Sequence, residues 1–226
     1  MKKTIVIVIL FFFLLQVFIY RSILFQESIS HYADWYFPVT KDGVIKRASY
    51  FYTWDDWSYE GTNRVLKLPG TPFWIPLGLL SYMGIEPWIL FRLCLIVIGV
   101  LASVGIFLLC KRFGLNSFGC VMGSLFYVFS PWFFAYAVWG WVYILVGYAL
   151  LPFAFLFYLK ALETQNMVYA ICTSILSAGI GLQTHNLAIV FLLFLFYAIF
   201  DSLISANRKI FGNLKMLVLV AVLVLL

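Results

Sequence analysis

Long uncharged apolar runs, not alternation or an amphipathic helical repeat, organise this chain. Residues 4–20, 93–110, 113–159 and 164–200 contain no Asp, Glu, Lys or Arg, and a further run begins at Met216. A helix needs about 20 residues to cross the hydrocarbon of a bilayer. The 47 residues of 113–159 therefore predict two crossings, with a break near Ser130-Pro131 and Gly140. The 37 residues of 164–200 predict two more, separated by a polar turn at Gln183-Thr184-His185-Asn186. Residues 73–82, bracketed by Pro72 and by Glu86-Pro87, are too short to span and predict a lateral or re-entrant helix; a full crossing starts near Pro87.

The expected fold is all-α, a polytopic transmembrane helix bundle of about 6 to 7 crossings with a long first outer loop containing short interfacial helices. Its expected parts are a first transmembrane helix over 1–25, an outer loop over 26–86 and a transmembrane bundle over 87–226. Within the loop, 25–36 is expected to continue as a short helix stopped by Pro38. The last run is only 11 residues long at Leu226, which predicts a truncated final helix and a longer parent polypeptide.

Composition sharpens the class. The chain is 65% hydrophobic and 11% charged, against about 25% charged residues in soluble domains. A water-soluble fold, a disordered chain, a disulfide-stapled module and a nucleic-acid binder are all excluded by the missing polar surface. The net charge is +6, and its placement orients the chain. With Lys2 and Lys3 cytoplasmic, the inner ends hold eight basic residues against two acidic ones, and the outer side holds seven of each. The whole excess lies inside, as the positive-inside tendency requires. The expected setting is the cell (plasma) membrane, N-terminus cytoplasmic and first long loop outside. Tyr20-Arg21-Ser22-Ile23-Leu24 offers no small-x-small cleavage site, so the first run reads as an anchor, not a removed leader. Cys94, Cys110, Cys120 and Cys172 fall in or beside crossings and read as small apolar residues.

Candidate chemistry concentrates in the first loop. His31 and Asp34, three residues apart, share a face if helical, with Trp35 beside them. They would put a carboxylate at the outer membrane boundary, where it could take a proton from a hydroxyl or simply pair with Arg21 or Lys41. Asp55-Asp56 with Glu60 offers hard oxygen ligands for a divalent cation such as magnesium or manganese, or an exposed acidic turn. The interleaved loop acids and rings suit both sugar recognition and a membrane-interface belt. Arg92, near the outer end of a crossing, could grip a phosphate with its planar fork or pair with Glu86. His185 in the outer polar turn could meet a phosphate or a sugar hydroxyl.

The stretch His31-x-x-Asp34-Trp35-x-Phe37-Pro38, the crossing end Gly123 to Pro131, the segment from Trp139-Gly-Trp to Pro152 and the Gln183-Thr-His-Asn turn together resemble the GT-C class of membrane glycosyltransferases. That class includes oligosaccharyltransferase catalytic subunits, protein mannosyltransferases and YfhO-like proteins. The resemblance implies crossings around an outward cavity and a polyprenyl-phosphate sugar donor. It also implies a glycan, lipid or protein acceptor, and Asp34 as the catalytic carboxylate of the first outer loop. The chain departs from the class in having Asp55-Asp56 where an Asp-x-Asp would stand. The alternative is a non-catalytic membrane protein that binds, scaffolds or transports lipid-linked sugars. The near absence of ionisable groups in the middle crossings argues against an ion-coupled transporter.

Overall fold

The computed structural model describes residues 2–21, 37–49, 54–55, 62–63, 71–181, 184–204 and 210–225. In chain order its helices are α1 (Lys2–Ile19), α2 (Lys41–Ala48), α3 (Thr71–Tyr82), α4 (Pro87–Arg112), α5 (Ser117–Val128), α6 (Pro131–Val138), α7 (Val142–Thr164), α8 (Met167–Ile180), α9 (Thr184–Ile204) and α10 (Ile210–Leu225). The remaining regular structure is a two-residue antiparallel pairing of Trp54–Asp55 (β1) with Thr62–Asn63 (β2).

The chain is an integral membrane protein by the length and apolarity of its helices. Among the described residues three segments are long and apolar enough to cross, Pro87–Arg112, Ile144–Thr164 and Asn186–Leu203, and the bent pair α5 and α6 makes four if it counts as one span. That is fewer than the six to seven expected. The shortfall is one of length. The 14 residues of α8 and the 16 of α10 rise about 21 and 24 Å, against a hydrocarbon core of about 30 Å. The apolar part of the first helix, Thr4–Ile19, is likewise short.

Local chemistry places most of the breaks. Ser130 caps α6, its hydroxyl accepting from the Phe133 amide at 3.2 Å, with Pro131 opening the helix. Asn116 accepts from the Gly119 amide at 2.7 Å ahead of α5, and Asn166 caps α8 from the Val168 amide at 2.8 Å. Gly84, Gly114 and Gly140 take positive φ just beyond α3, α4 and α6, the left-handed exit that glycine supplies without strain. The expected short helix before Pro87 is present as α3. The polar turn is corrected: Thr184, His185 and Asn186 form the first turn of α9, where a threonine and an asparagine can serve a helix start as well as a loop.

The chain forms two compact units, Met1–Leu101 with Val128–Leu145, and Ala102–Tyr127 with Val146–Leu226. In the first, α1 buries Val8, Phe12 and Gln16, and Tyr20 just beyond it is buried too, a spacing of four that keeps one narrow stripe inward. Its other faces expose Ile7, Leu10, Phe11, Leu14 and Phe18, a surface suited to hydrocarbon and not to water. Gly99 of α4 lets Gln16 approach; a methyl there would stand 2.6 Å from the Gln16 amide carbon. Gly78 of α3 does the same for α2, its missing methyl leaving room for Ala48.

The second unit is centred on Tyr158, Phe194, Ala198, Met216 and Val220. Tyr158 stacks on Phe194 with ring centroids 4.3 Å apart and donates to the Phe194 carbonyl at 3.1 Å. Ser174 on α8 donates to the Val220 carbonyl of α10 at 3.3 Å. The Tyr127 and Tyr148 rings stack at 4.0 Å. The Tyr127 hydroxyl donates to the Tyr148 carbonyl at 2.8 Å, and the Tyr148 hydroxyl to the Tyr127 carbonyl at 3.0 Å. Both carbonyls lie four residues before a proline, Pro131 and Pro152. A proline has no N–H to give the i−4 carbonyl, so each tyrosine supplies the donor that the other's helix lacks.

This exchange predicts coupling. Tyr127→Phe is expected to cost about 1–3 kcal/mol by leaving the Tyr148 carbonyl unmet. In a Pro152→Ala background, where the amide at 152 returns, the cost should shrink by about 1 kcal/mol or more. Thermal unfolding of the four proteins of that double-mutant cycle in detergent measures it.

Candidate functional site

Among the sequence-predicted residues, Arg92 is the one whose side-chain surroundings are described. It stands in the second turn of α4, 8% exposed, with its guanidinium carbon 4.3 Å from the centre of the Trp88 ring. The spacing of four that links Trp88 to Arg92 puts both on one face of the helix. A desolvated cation over a tryptophan face is stabilised by about 2 kcal/mol or more, which helps to hold the charge in an apolar setting.

The neighbourhood is built by aromatic packing. Phe37, 1% exposed, sits against Trp74 of α3 and Phe91 of α4 at 5.4 and 5.6 Å between ring centres. Arg47 of α2 lies 5.1 Å from the Trp74 ring. Lys41 at the start of α2 binds Glu86 ahead of α4 at 2.6 Å. Both partners of that bridge are about half exposed, so it contributes at most about 1 kcal/mol. Ser81 of α3 donates to the Lys41 carbonyl at 3.5 Å, and Val44 is fully buried. In the first unit Arg92 of α4 thus lies over the Trp88 ring and Arg47 of α2 over the Trp74 ring, while Lys41 of α2 is paired with Glu86.

Asp34, His31, Trp35 and Asp56 lie outside the described residues, as does the expected helix over 25–36. Asp55 is in β1 opposite Thr62. His185 belongs to α9 in the second unit. Among the described residues, no group of three or more His, Cys, Asp or Glu side chains could hold a metal ion.

Sequence reasoning quoted Phe37 only as part of a motif and passed over Trp88. The signal for Trp88 was its spacing of four from Arg92. A second aromatic group, in which Tyr136 meets Trp132, Trp139 and Trp141 at 4.3 to 5.5 Å, lies between the Ser130 and Gly140 breaks and just past the second. The cysteines are free, with Cys120 buried and the other three partly so, in keeping with a packing role. No family model, curated protein or solved structure matches the chain.

Phe37→Ala is expected to destabilise the first unit by about 3–5 kcal/mol, the cost of emptying a buried ring site. Trp88→Leu, which keeps apolar volume but removes the ring face, should cost about 1–2 kcal/mol. Thermal melts of the purified variants in detergent test both and rank them.

Proposed function

We propose that the protein is a membrane glycosyltransferase that moves a sugar from a polyprenyl-phosphate-linked donor to an acceptor hydroxyl on the outer face of the membrane. Asp34 is the general base. Its carboxylate takes the acceptor's proton as the acceptor oxygen bonds to the anomeric carbon. The bond from that carbon to the phosphate oxygen breaks, and the phosphate leaves with the electron pair on its polyprenyl chain. Attack from the opposite face inverts the anomeric centre. Because the leaving group is a phosphate, no strong general acid is required, and Arg92 stabilises its charge. His31 and Trp35 contact the sugar. The six to seven crossings include the shorter helices α1, α8 and α10, and the N-terminus is cytoplasmic.

The observation that carries this reading is the seat of Phe37 between Trp74 and Phe91. Phe91 immediately precedes the buried Arg92, and Phe37 follows Asp34 by three residues. Three residues reach at most about 11 Å. Chain connectivity therefore supports a carboxylate tethered close to the Phe37 seat, whose neighbour Phe91 adjoins Arg92.

The test uses the full chain in vesicles supplied with radiolabelled polyprenyl-phosphate sugars and their membrane acceptors. Asp34→Asn is expected to reduce transfer by about 10²–10⁴-fold, the usual worth of a general base, with insertion and melting unchanged. Arg92→Gln should lower transfer and weaken donor retention together. Retained turnover in Asp34→Asn would remove Asp34 from the mechanism. Donor retention without turnover in the wild-type chain would favour a lipid-linked-sugar scaffold instead. Orientation is checked with Asp34→Cys: a membrane-impermeant maleimide should label it in intact cells, and labelling from the cytosolic side alone would overturn the reading.

A divalent cation, magnesium or manganese, held by Asp55 and Asp56 is a separable part of the proposal. Chelation should then abolish transfer and added manganese restore it. Turnover unaffected by chelation would remove the cation and leave the Asp34 step standing.

A further inference from the structure

Lys160 stands in the last turns of α7, in the second unit, and shares its charge between two rings. Its ammonium nitrogen is 5.7 Å from the centre of the Phe157 ring on the same helix and 5.5 Å from that of Tyr169 on α8. The two rings stack on each other at 6.2 Å. Each distance lies within the range of about 6 Å over which a ring face attracts a cation. All three residues are half-buried, so the lysine is held where α7 meets the first turn of α8.

The charge meets no acid within the protein. Among the described residues the ion pairs are Lys41 with Glu86 and Arg112 with Glu163. Glu163, one turn beyond Lys160 on α7, is thus taken by Arg112, and the Asp201 carboxylate accepts from Asn213. A ring face attracts a cation without neutralising it. Beside the cation, α8 presents a surface for hydrocarbon. Val168, Ile171 and Ile175 are 61%, 39% and 67% exposed, and their spacing of three and four sets them on one face of the helix. The positive end of the α8 dipole lies at the Lys160 end of that face. Neither the stripe nor the lysine alone specifies an occupant. Together they place an uncompensated positive charge at the head of an apolar track.

We infer that Lys160 and the outer face of α8 bind an anionic phospholipid, its phosphodiester at the Lys160 ammonium and an acyl chain along Val168, Ile171 and Ile175. Charge complementarity selects this occupant. A choline-headed lipid carries its own cation beside the phosphate and gains less from a second, and an uncharged lipid brings nothing to the ammonium. A free phosphate would meet the charge but leave the track to other lipids. The inference concerns α7 and α8 alone and holds whether or not the chain transfers a sugar.

The experiment uses the full chain in phosphatidylcholine vesicles carrying a trace of one of two photoactivatable probes. These are phosphatidylglycerol and phosphatidylcholine, each with a diazirine in its acyl chain. The phosphatidylglycerol probe should label α8 peptides about fivefold more than the phosphatidylcholine probe, the attraction of one lysine near the surface for anionic lipid. Lys160→Gln should bring the two to parity, and Lys160→Arg, which restores the charge, should keep the preference. Lys111→Gln removes a basic residue from the end of α4 without touching Lys160 and should leave the preference unchanged. Equal labelling by the two probes in the unaltered chain would overturn the inference, as would a preference that survives Lys160→Gln or is lost in Lys160→Arg. Loss of the preference in Lys111→Gln would overturn it by tracing the effect to summed charge. Displacement of the phosphatidylglycerol probe by excess inorganic phosphate would reveal a site for the free anion and overturn the lipid assignment.

Discussion

The rest of the structure depends on one constraint: inside hydrocarbon, a polar group must find its hydrogen-bond partner within the protein. The exchange between Tyr127 and Tyr148 is the clearest local answer. Pro131 and Pro152 each withdraw a donor from a carbonyl four residues back, and each carbonyl is met by the hydroxyl of the other tyrosine. A kinking residue thus becomes a contact point between helices, because the carbonyl it releases can be used by a neighbour. The hydroxyl residues of the apolar runs follow the same rule more quietly. Ser124, Ser174, Ser202 and Thr173 donate to carbonyls four residues before them, and two of these also reach a second helix, Ser124 to the Ser103 carbonyl and Ser174 to that of Val220. Intrahelical bonding lets them sit in an apolar interior without loss, while their small size permits close packing.

Charge obeys the constraint by staying at the ends. Lys111 and Arg112 close α4, where they complement the negative end of its dipole. Arg112 binds Glu163 at the end of α7. Lys111 reaches the Leu115 carbonyl and the Ser117 hydroxyl. At the opposite end of α4, Arg92 lies deeper, and the Trp88 ring gives it a face that the hydrocarbon would not. Three of these groups were expected at the inner end from the charge count and Arg92 at the outer end. That pattern follows from the cost of charge in lipid, whatever the helices do in detail.

The same physics explains how much was legible beforehand. All-α character, the Pro87 start, the Ser130 and Gly140 breaks and the short helix before Pro87 were readable, because hydropathy and Pro or Gly punctuation are local signals. Crossing number was not. A run of apolar residues does not say how many of them are helical at once, and the start of α8 behind its cap at Asn166, together with its end at Ile180, shortens what looked like a full span. The Gln183 to Asn186 stretch misled because threonine and asparagine suit both a turn and a helix start. For the candidate site, Arg92 was visible as a charge at the edge of an apolar run. Its dependence on Trp88, and the wedging of Phe37 between Trp74 and Phe91, were not, because ring-to-ring contacts across separate helices leave no mark in the order of residues.

Buried amides show why unmet polarity alone does not make a site. Gln16 on α1 is fully buried, and both its amide nitrogen and oxygen lack partners. It presses on Gly99 so closely that a single methyl would not fit. With a donor and an acceptor both unmet and no space beside them, Gln16 is a strained packing element whose polarity opposes the α1 contact it makes. Asn213 on α10 differs. Its donors are met by Asp201 and Ser202 on α9, leaving one acceptor, so its polarity holds the α9 and α10 pair together more than it opposes it. A buried amide therefore strengthens a helix pair to the extent that its own hydrogen bonds cross it, and each atom left unmet subtracts from that gain.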